Sequence, residues 1–159
     1  MVLHKDGGIL DQLAALIGDW DGTLQRRYCH LSNASAFLSG WLEDINWVGF
    51  YLVDDSGQNL VLGPFQGKVA CTDIPFAKGV CGLCARTGKS VRVDDVHAFP
   101  DHIACDSASR SELVVPLFDA KGRVMGVLDA DSPKLARFTA DDQELLEGAA
   151  AVISRLLYS

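Results

Sequence analysis

Apolar residues recur along the first forty positions at the spacing of one helical face, and from Asn46 onward they give way to short alternating or β-branched runs. Ile9, Leu10, Leu13, Leu16, Ile17 and Trp20 form the first stripe, with Asp6, Gly7 and Gly8 as its entry. After Asp21 and Gly22 a second stripe runs through Leu24, Tyr28, Leu31, Ala34, Phe37, Leu38 and Trp41 to an acidic break at Glu43 and Asp44. Asn46 to Val53 and the run NLVLGPF flank an Asp54-Asp55-Ser56-Gly57 turn, which predicts a β-hairpin. KVACTDIPF predicts a third strand, VCGLCART a short helix between Gly79 and Gly88, and Ser90 to Val93 a further strand. Asp94 to Arg110 is irregular and polar, the pattern of a binding loop or lid. A second hairpin, SELVVPLF and RVMGVLDAD, turns at Asp119-Ala120-Lys121-Gly122, and Pro116 requires an edge or a bulge there because it cannot donate to a ladder. The last helix starts at Thr139, capped with Asp142, and aligns Leu145, Leu146, Ala149, Val152, Ile153, Leu156 and Leu157. Gly148 to Ala151 permits close approach of another helix, in the same chain or across a homodimer.

This order predicts an α+β fold: a central antiparallel sheet, terminal helices on one face, and the irregular insert over the other. The 159 residues fit a single domain (1–159), divided into N-terminal helices (1–43), the sheet with its insert (44–136) and a C-terminal helix (138–158).

Composition narrows the functions open to such a domain. With 48% apolar and 22% charged residues the chain can bury a core. A net charge of -7 leaves no basic face for a phosphate backbone, so no nucleic-acid partner is expected. MVLHKDGGIL lacks the apolar run of a signal peptide and no membrane span is present, which places the protein in the cytoplasm. In that reducing compartment the five cysteines read as free, metal-binding or redox-active thiols.

Two clusters carry candidate chemistry. If Asp119 to Gly122 is a four-residue loop, Phe118 opposes Arg123 and Glu112 opposes Asp129, with Asp131 one diagonal step away. Three carboxylates then converge on a face shared with Val114, Met125 and Val127, where they lose solvation and repel. A bound cation, a ligand ammonium or a raised pKa has to compensate. The second cluster is thiol. Cys29 reads as a buried structural residue on the second helix, and Cys71 as a strand residue. Cys81 and Cys84 start a helix, whose dipole favours a thiolate, and Cys105 sits in the insert three residues after His102. Three active readings fit: a CxxC…HxxC zinc set of Cys81, Cys84, His102 and Cys105; a Cys81–Cys84 dithiol; or a nucleophilic Cys105 resolved by another cysteine.

The segments NWVGFYL, GPFQGKVACTDIP, GVCG, DVHAFPDHIACDSASRSELVVPL and GVLDADS, in this order, resemble the free methionine (R)-sulfoxide reductases, a GAF-type family. The resemblance runs from about Asp44 to the final helix; the first two helices match only in general character. It implies a GAF-like sheet of five or six strands, a ligand pocket under a lid, and reduction of free L-methionine (R)-sulfoxide without metal or organic cofactor. By it Cys105 is the nucleophile, Cys71 the principal resolving thiol and Cys81 an auxiliary one, so that Cys71 and Cys105 form the redox-active disulfide, recycled by thioredoxin. Cys84 lies outside that set. Glu112 and Asp131 are then candidates for the acid that protonates the sulfoxide oxygen, Asp129 for the partner of the substrate ammonium, and Trp47 for the wall near its methyl group. Two rival classes are a non-catalytic GAF sensor of small molecules, which usually sits beside an output domain, and a zinc-stabilised binding module.

Overall fold

A computed structural model describes residues 5–103 and 105–159. Helix α1 (Lys5–Ile17) begins one residue before Asp6, so Asp6, Gly7 and Gly8 lie inside its first turn instead of preceding it. Gly18, at φ 60°, ends it, and Trp20 packs on the core from the connection. Helix α2 (Leu24–Trp41) starts at Thr23, whose hydroxyl accepts from the Arg26 N–H. Only Leu31, Ala34, Ser35 and Leu38 of α2 are buried, a narrower stripe than the sequence suggests. Leu24, Tyr28 and Trp41 are exposed, as is Leu16 of α1. Cys29 is exposed as well, and the expectation of a buried thiol fails for a geometric reason. At about 100° per residue, position 29 points away from the face that Leu31, Leu38 and their neighbours turn to the core.

The sheet comprises β1 (Trp47–Val53), β2 (Asn59–Gly67), β3 (Asp73–Pro75), β4 (Val91–Val93), β5 (Ser111–Phe118) and β6 (Val124–Ser132). Helix α3 (Gly79–Thr87) follows β3, and α4 (Ala140–Leu157) closes the chain. The spatial order is β3-β2-β1-β6-β5-β4, antiparallel throughout. The first and last strands therefore pair at its centre. The third strand is shorter than expected: only Asp73–Pro75 pairs with β2, and Cys71 lies in the connection before it. Pro116 pairs with Val127 of β6, while β4 reaches only Glu112 to Val114 of β5, so the face of β5 towards β4 is open where the proline has no N–H.

The second hairpin has a bulge, and this corrects the register. Phe118 opposes Val124, then Leu117 opposes Gly126, leaving Met125 unpaired. Glu112 consequently faces Asp131, and Asp129 faces Val114. The offset from the four-residue-loop register is two residues, so Glu112, Asp129 and Asp131 keep the same face; a shift of one would have reversed them. Met125 changes sides and packs with the helix-facing core.

That core joins α1, α2 and α4 to Val48 and Phe50 of β1, Leu113, Val115 and Leu117 of β5, and Leu128 and Ala130 of β6. Each fully buried Leu or Ile among these contributes roughly 1.5–3 kcal/mol relative to exposure. Thr139 and Asp142 form a reciprocal capping box at the start of α4. Gly148 receives Leu10 of α1: a Cβ there would lie 2.9 Å from Leu10 Cδ1, so a close helix approach is made within the chain. No described helix is long and apolar enough to cross a membrane.

Candidate active site

The alternation that sends Val48 and Phe50 to the helices sends Trp47, Gly49 and Tyr51 to the opposite face. Two rows of paired residues cross the sheet there. One reads Val93, Glu112, Asp131, Trp47, Gly67 and the other Val91, Val114, Asp129, Gly49, Phe65. The glycines are required by what lies above them. A Cβ at Gly67 would sit 2.5 Å from Trp47 Cδ1, and Gly67 has φ 143°. Phe65 covers Gly49 and stacks on Trp47 at 5.1 Å between ring centroids, and Tyr51 stacks on Trp47 at 5.8 Å. Two aromatic neighbours thereby hold the indole.

Above these rows α3 and the insert cover a partly open cavity. Trp47, Tyr51, Cys81, His102, Cys105, Glu112, Asp129 and Asp131 all line it. Cys105 is bonded to Cys71, with 5.3 Å between their Cα atoms across 34 residues of sequence. Three hydrogen bonds hold the segments on either side of this bridge. The Tyr51 hydroxyl donates to the Cys71 carbonyl at 2.9 Å, and Asn46 Nδ2 donates to Asp106 Oδ2 at 2.9 Å and Ser109 Oγ at 3.0 Å, which ties the insert to the end of β1.

The carboxylates are buried with little compensation. Glu112, Asp129 and Asp131 are each less than a tenth exposed. Burial pushes Asp129 well above the usual carboxylate range, and the charges of Asp131 and Glu112 push it further. Burial likewise raises Asp131, followed by repulsion from Glu112. Among the described residues the basic side chain that reaches this cluster is His102, whose Nε2 lies 3.9 Å from Glu112 Oε1. His102 thus faces the carboxylates. Asp129 Oδ1 and Trp47 Nε1 are buried without a hydrogen-bond partner in the protein, one an acceptor and the other a donor.

The thiols differ from the sequence expectation. Cys81 lies in the first turn of α3, where the helix dipole favours a thiolate, but burial dominates and the Asp129, Glu112 and Asp131 charges add to it, so the pKa rises well above the ordinary value. Its Sγ lies 3.9 Å from Glu112 Oε2. Cys84 is wholly buried and burial raises its thiol to about 12. The four-ligand zinc set is not assembled, because Cys105 is bonded to Cys71. Cys81 Sγ and oxygens of Glu112 and Asp129 do lie within 4.8 Å of one another, a set able to meet a cation.

Sequence reasoning missed Tyr51 and the Asn46–Asp106–Ser109 clamp. Tyr51 was legible from its four-residue spacing to Trp47, which puts both on one face of β1; the clamp joins residues 60 and 63 positions apart and left no local signal.

A six-stranded sheet with the terminal helices on one face and a small ligand site beneath α3 and the insert on the other is the architecture of a GAF domain, and the family model described as "GAF domain" matches residues 35–157. The free methionine-R-sulfoxide reductase of Escherichia coli K12 is 50% identical over 127 residues, covering 80% of this chain and 75% of that protein. The structure of the Neisseria meningitidis free methionine-R-sulfoxide reductase in complex with its substrate is 46% identical, with a TM-score of 0.86 over 94% of this chain and 86% of that one. The reduced Staphylococcus aureus enzyme is 43% identical, with a TM-score of 0.87 over 98% and 97% of the two chains. The chain belongs to the GAF-domain family of free methionine-R-sulfoxide reductases.

Proposed function

We propose that this protein reduces free L-methionine (R)-sulfoxide to L-methionine, using Cys105 as nucleophile and Cys71 as resolving thiol. The observation that carries this reading is that the Cys71–Cys105 bond opens on the same cavity as three buried carboxylates. In the reduced enzyme the Cys105 thiolate attacks the sulfoxide sulfur. A carboxyl held protonated by its surroundings gives its proton to the oxygen, and Asp131, beside Glu112, is suited to this. Methionine leaves and Cys105 carries the oxygen as a sulfenic acid. Cys71 attacks that sulfur, water departs, and the disulfide forms; Cys81 is placed as the auxiliary resolving thiol. One sulfoxide and two thiols thus give methionine, a disulfide and water.

Recognition follows the charges of a free amino acid. Asp129, with an oxygen that has no partner in the protein, accepts the substrate ammonium, which a methionine inside a polypeptide lacks. The first-turn N–H groups of α3 favour the substrate carboxylate. The Trp47 ring, held by its stacking on Phe65 and Tyr51, packs against the methyl end, and its Nε1 is a donor available to the ligand. An external dithiol protein of the thioredoxin type would reopen the disulfide, which places the work in the reducing cytoplasm.

The test supplies reduced protein and dithiothreitol with the (R) and (S) sulfoxides of free methionine and of a methionine peptide, separately. Methionine should form from the free (R) substrate alone, and Cys105→Ser should form none. No product from the free (R) sulfoxide would overturn the reading.

A further inference from the structure

Cys84 is a buried thiol that the proposed reaction leaves unused. It stands three residues after Cys81 on α3 and belongs to the same apolar cluster, against which Cys71 also packs. Cys81 lines the cavity together with Cys105, whereas Cys84 is wholly buried outside its lining. Both are free thiols while Cys71 and Cys105 are bonded. Side chains three apart on a helix have Cβ atoms about 5–6 Å from each other, and a disulfide needs about 3.5–4.5 Å, so a small adjustment of the first turn brings them together. That turn has no side-chain cap to oppose the adjustment.

We propose that Cys81 and Cys84 form a second dithiol that takes over the oxidation held by the Cys71–Cys105 disulfide, so that one reduced chain can consume two sulfoxides. The inference rests on the reductase reading above. Cys81 attacks one sulfur of the Cys71–Cys105 bond, passing its proton to Glu112, whose Oε2 lies 3.9 Å from its Sγ. The displaced cysteine leaves as a thiolate and takes up a proton. Cys84 then attacks the Cys81 sulfur of the mixed disulfide and releases the second cysteine. Two thiols are oxidised and one disulfide is reduced, with no outside oxidant. Burial keeps both α3 thiols protonated, which makes the transfer slow, but renewed oxidation of Cys105 by excess sulfoxide draws it forward.

The test counts product. Fully reduced protein, freed of reductant, receives excess free methionine (R)-sulfoxide until reaction stops. The wild type should form two methionines per chain and Cys84→Ala one, and that first methionine shows that the variant is folded. The tryptic peptide Gly79–Arg86 from the wild type should be lighter by two hydrogens. One methionine from the wild type, two from both proteins, or an unoxidised Gly79–Arg86 peptide would overturn the second dithiol and leave the reductase reading intact. No methionine from the wild type would overturn that reading itself.

Discussion

Replacing Asp129 by Asn keeps the shape of the side chain and removes a charge from a cluster that has no basic residue paired to it except His102, among the described residues. Two effects of opposite sign follow. Oxygens of Glu112 and Asp129 lie within 4.8 Å, and two full charges at that distance repel by roughly 3 kcal/mol at an effective dielectric of about 20. Protonation relieves part of this, so the ligand-free, reduced variant should gain about 1–2 kcal/mol near pH 8, or roughly 2–8 °C in melting temperature for a chain of this size.

The pH dependence has a fixed sign. The folded-state pKa of Asp129 lies well above its ordinary value of 3.8. The folded state therefore holds a proton that the unfolded chain releases, and the stability this confers is present below about pH 4 and lost as pH rises. The advantage of Asn over Asp should accordingly be largest at alkaline pH and shrink towards pH 4. Binding should move the other way: removing the charged partner of a buried ammonium costs about 2 kcal/mol or more, which weakens affinity for the free sulfoxide roughly 30-fold. Thermal unfolding at several pH values and substrate titration of the reduced protein measure the two effects. A stabilised variant with unchanged affinity would remove Asp129 from substrate recognition, and a variant destabilised at pH 8 would refute the charge argument.

Cys105→Ser should yield no methionine, whereas Cys71→Ser should retain its first turnover and lose about tenfold or more in steady-state rate with a dithiol reductant; equal rates in both variants would contradict the assignment. Tyr51→Phe removes the hydroxyl that holds the Cys71 carbonyl, and should cost about 1 kcal/mol in denaturant unfolding and slow disulfide formation in stopped-flow thiol assays. Thr139→Ala removes the α4 cap, and should destabilise by about 0.5–2 kcal/mol while leaving the rate per folded chain unchanged.

The elements were legible where one rule governed them. Thr139 and Asp142 announced the start of α4, Gly79 and Gly88 bracketed α3, and the alternation in β5 and β6 placed Glu112, Asp129 and Asp131 on one face even though the pairing itself was two residues off. That face survived because period two is insensitive to a shift of two. Burial of individual side chains was less legible. Cys29, Leu24 and Tyr28 fit a broad apolar stripe, but α2 meets the core along one edge, and a sequence does not state how wide the contact is. The Cys81 thiol was misjudged because its helix-start dipole is local, whereas the three opposing carboxylates arrive from β5 and β6.

On the proposed reading, the cost of burying those carboxylates is also what gives the site its selectivity. Glu112, Asp129 and Asp131 would be better replaced by apolar residues if stability alone were at stake, since buried charges without partners are destabilising. Val114 and Val127 on the same face occupy comparable positions without that cost. A cation entering the cavity relieves repulsion already present in the protein, and so it binds through interactions that an uncharged amide could not make. Asp129 lies opposite Gly49 and keeps one oxygen without a hydrogen-bond partner in the protein, whereas Asp131 lies opposite Trp47 and Glu112. On the proposed reading the two aspartates of one strand take different tasks: Asp129, protonated while the site is empty, ionises to meet the substrate ammonium, and Asp131 supplies the proton to the sulfoxide oxygen.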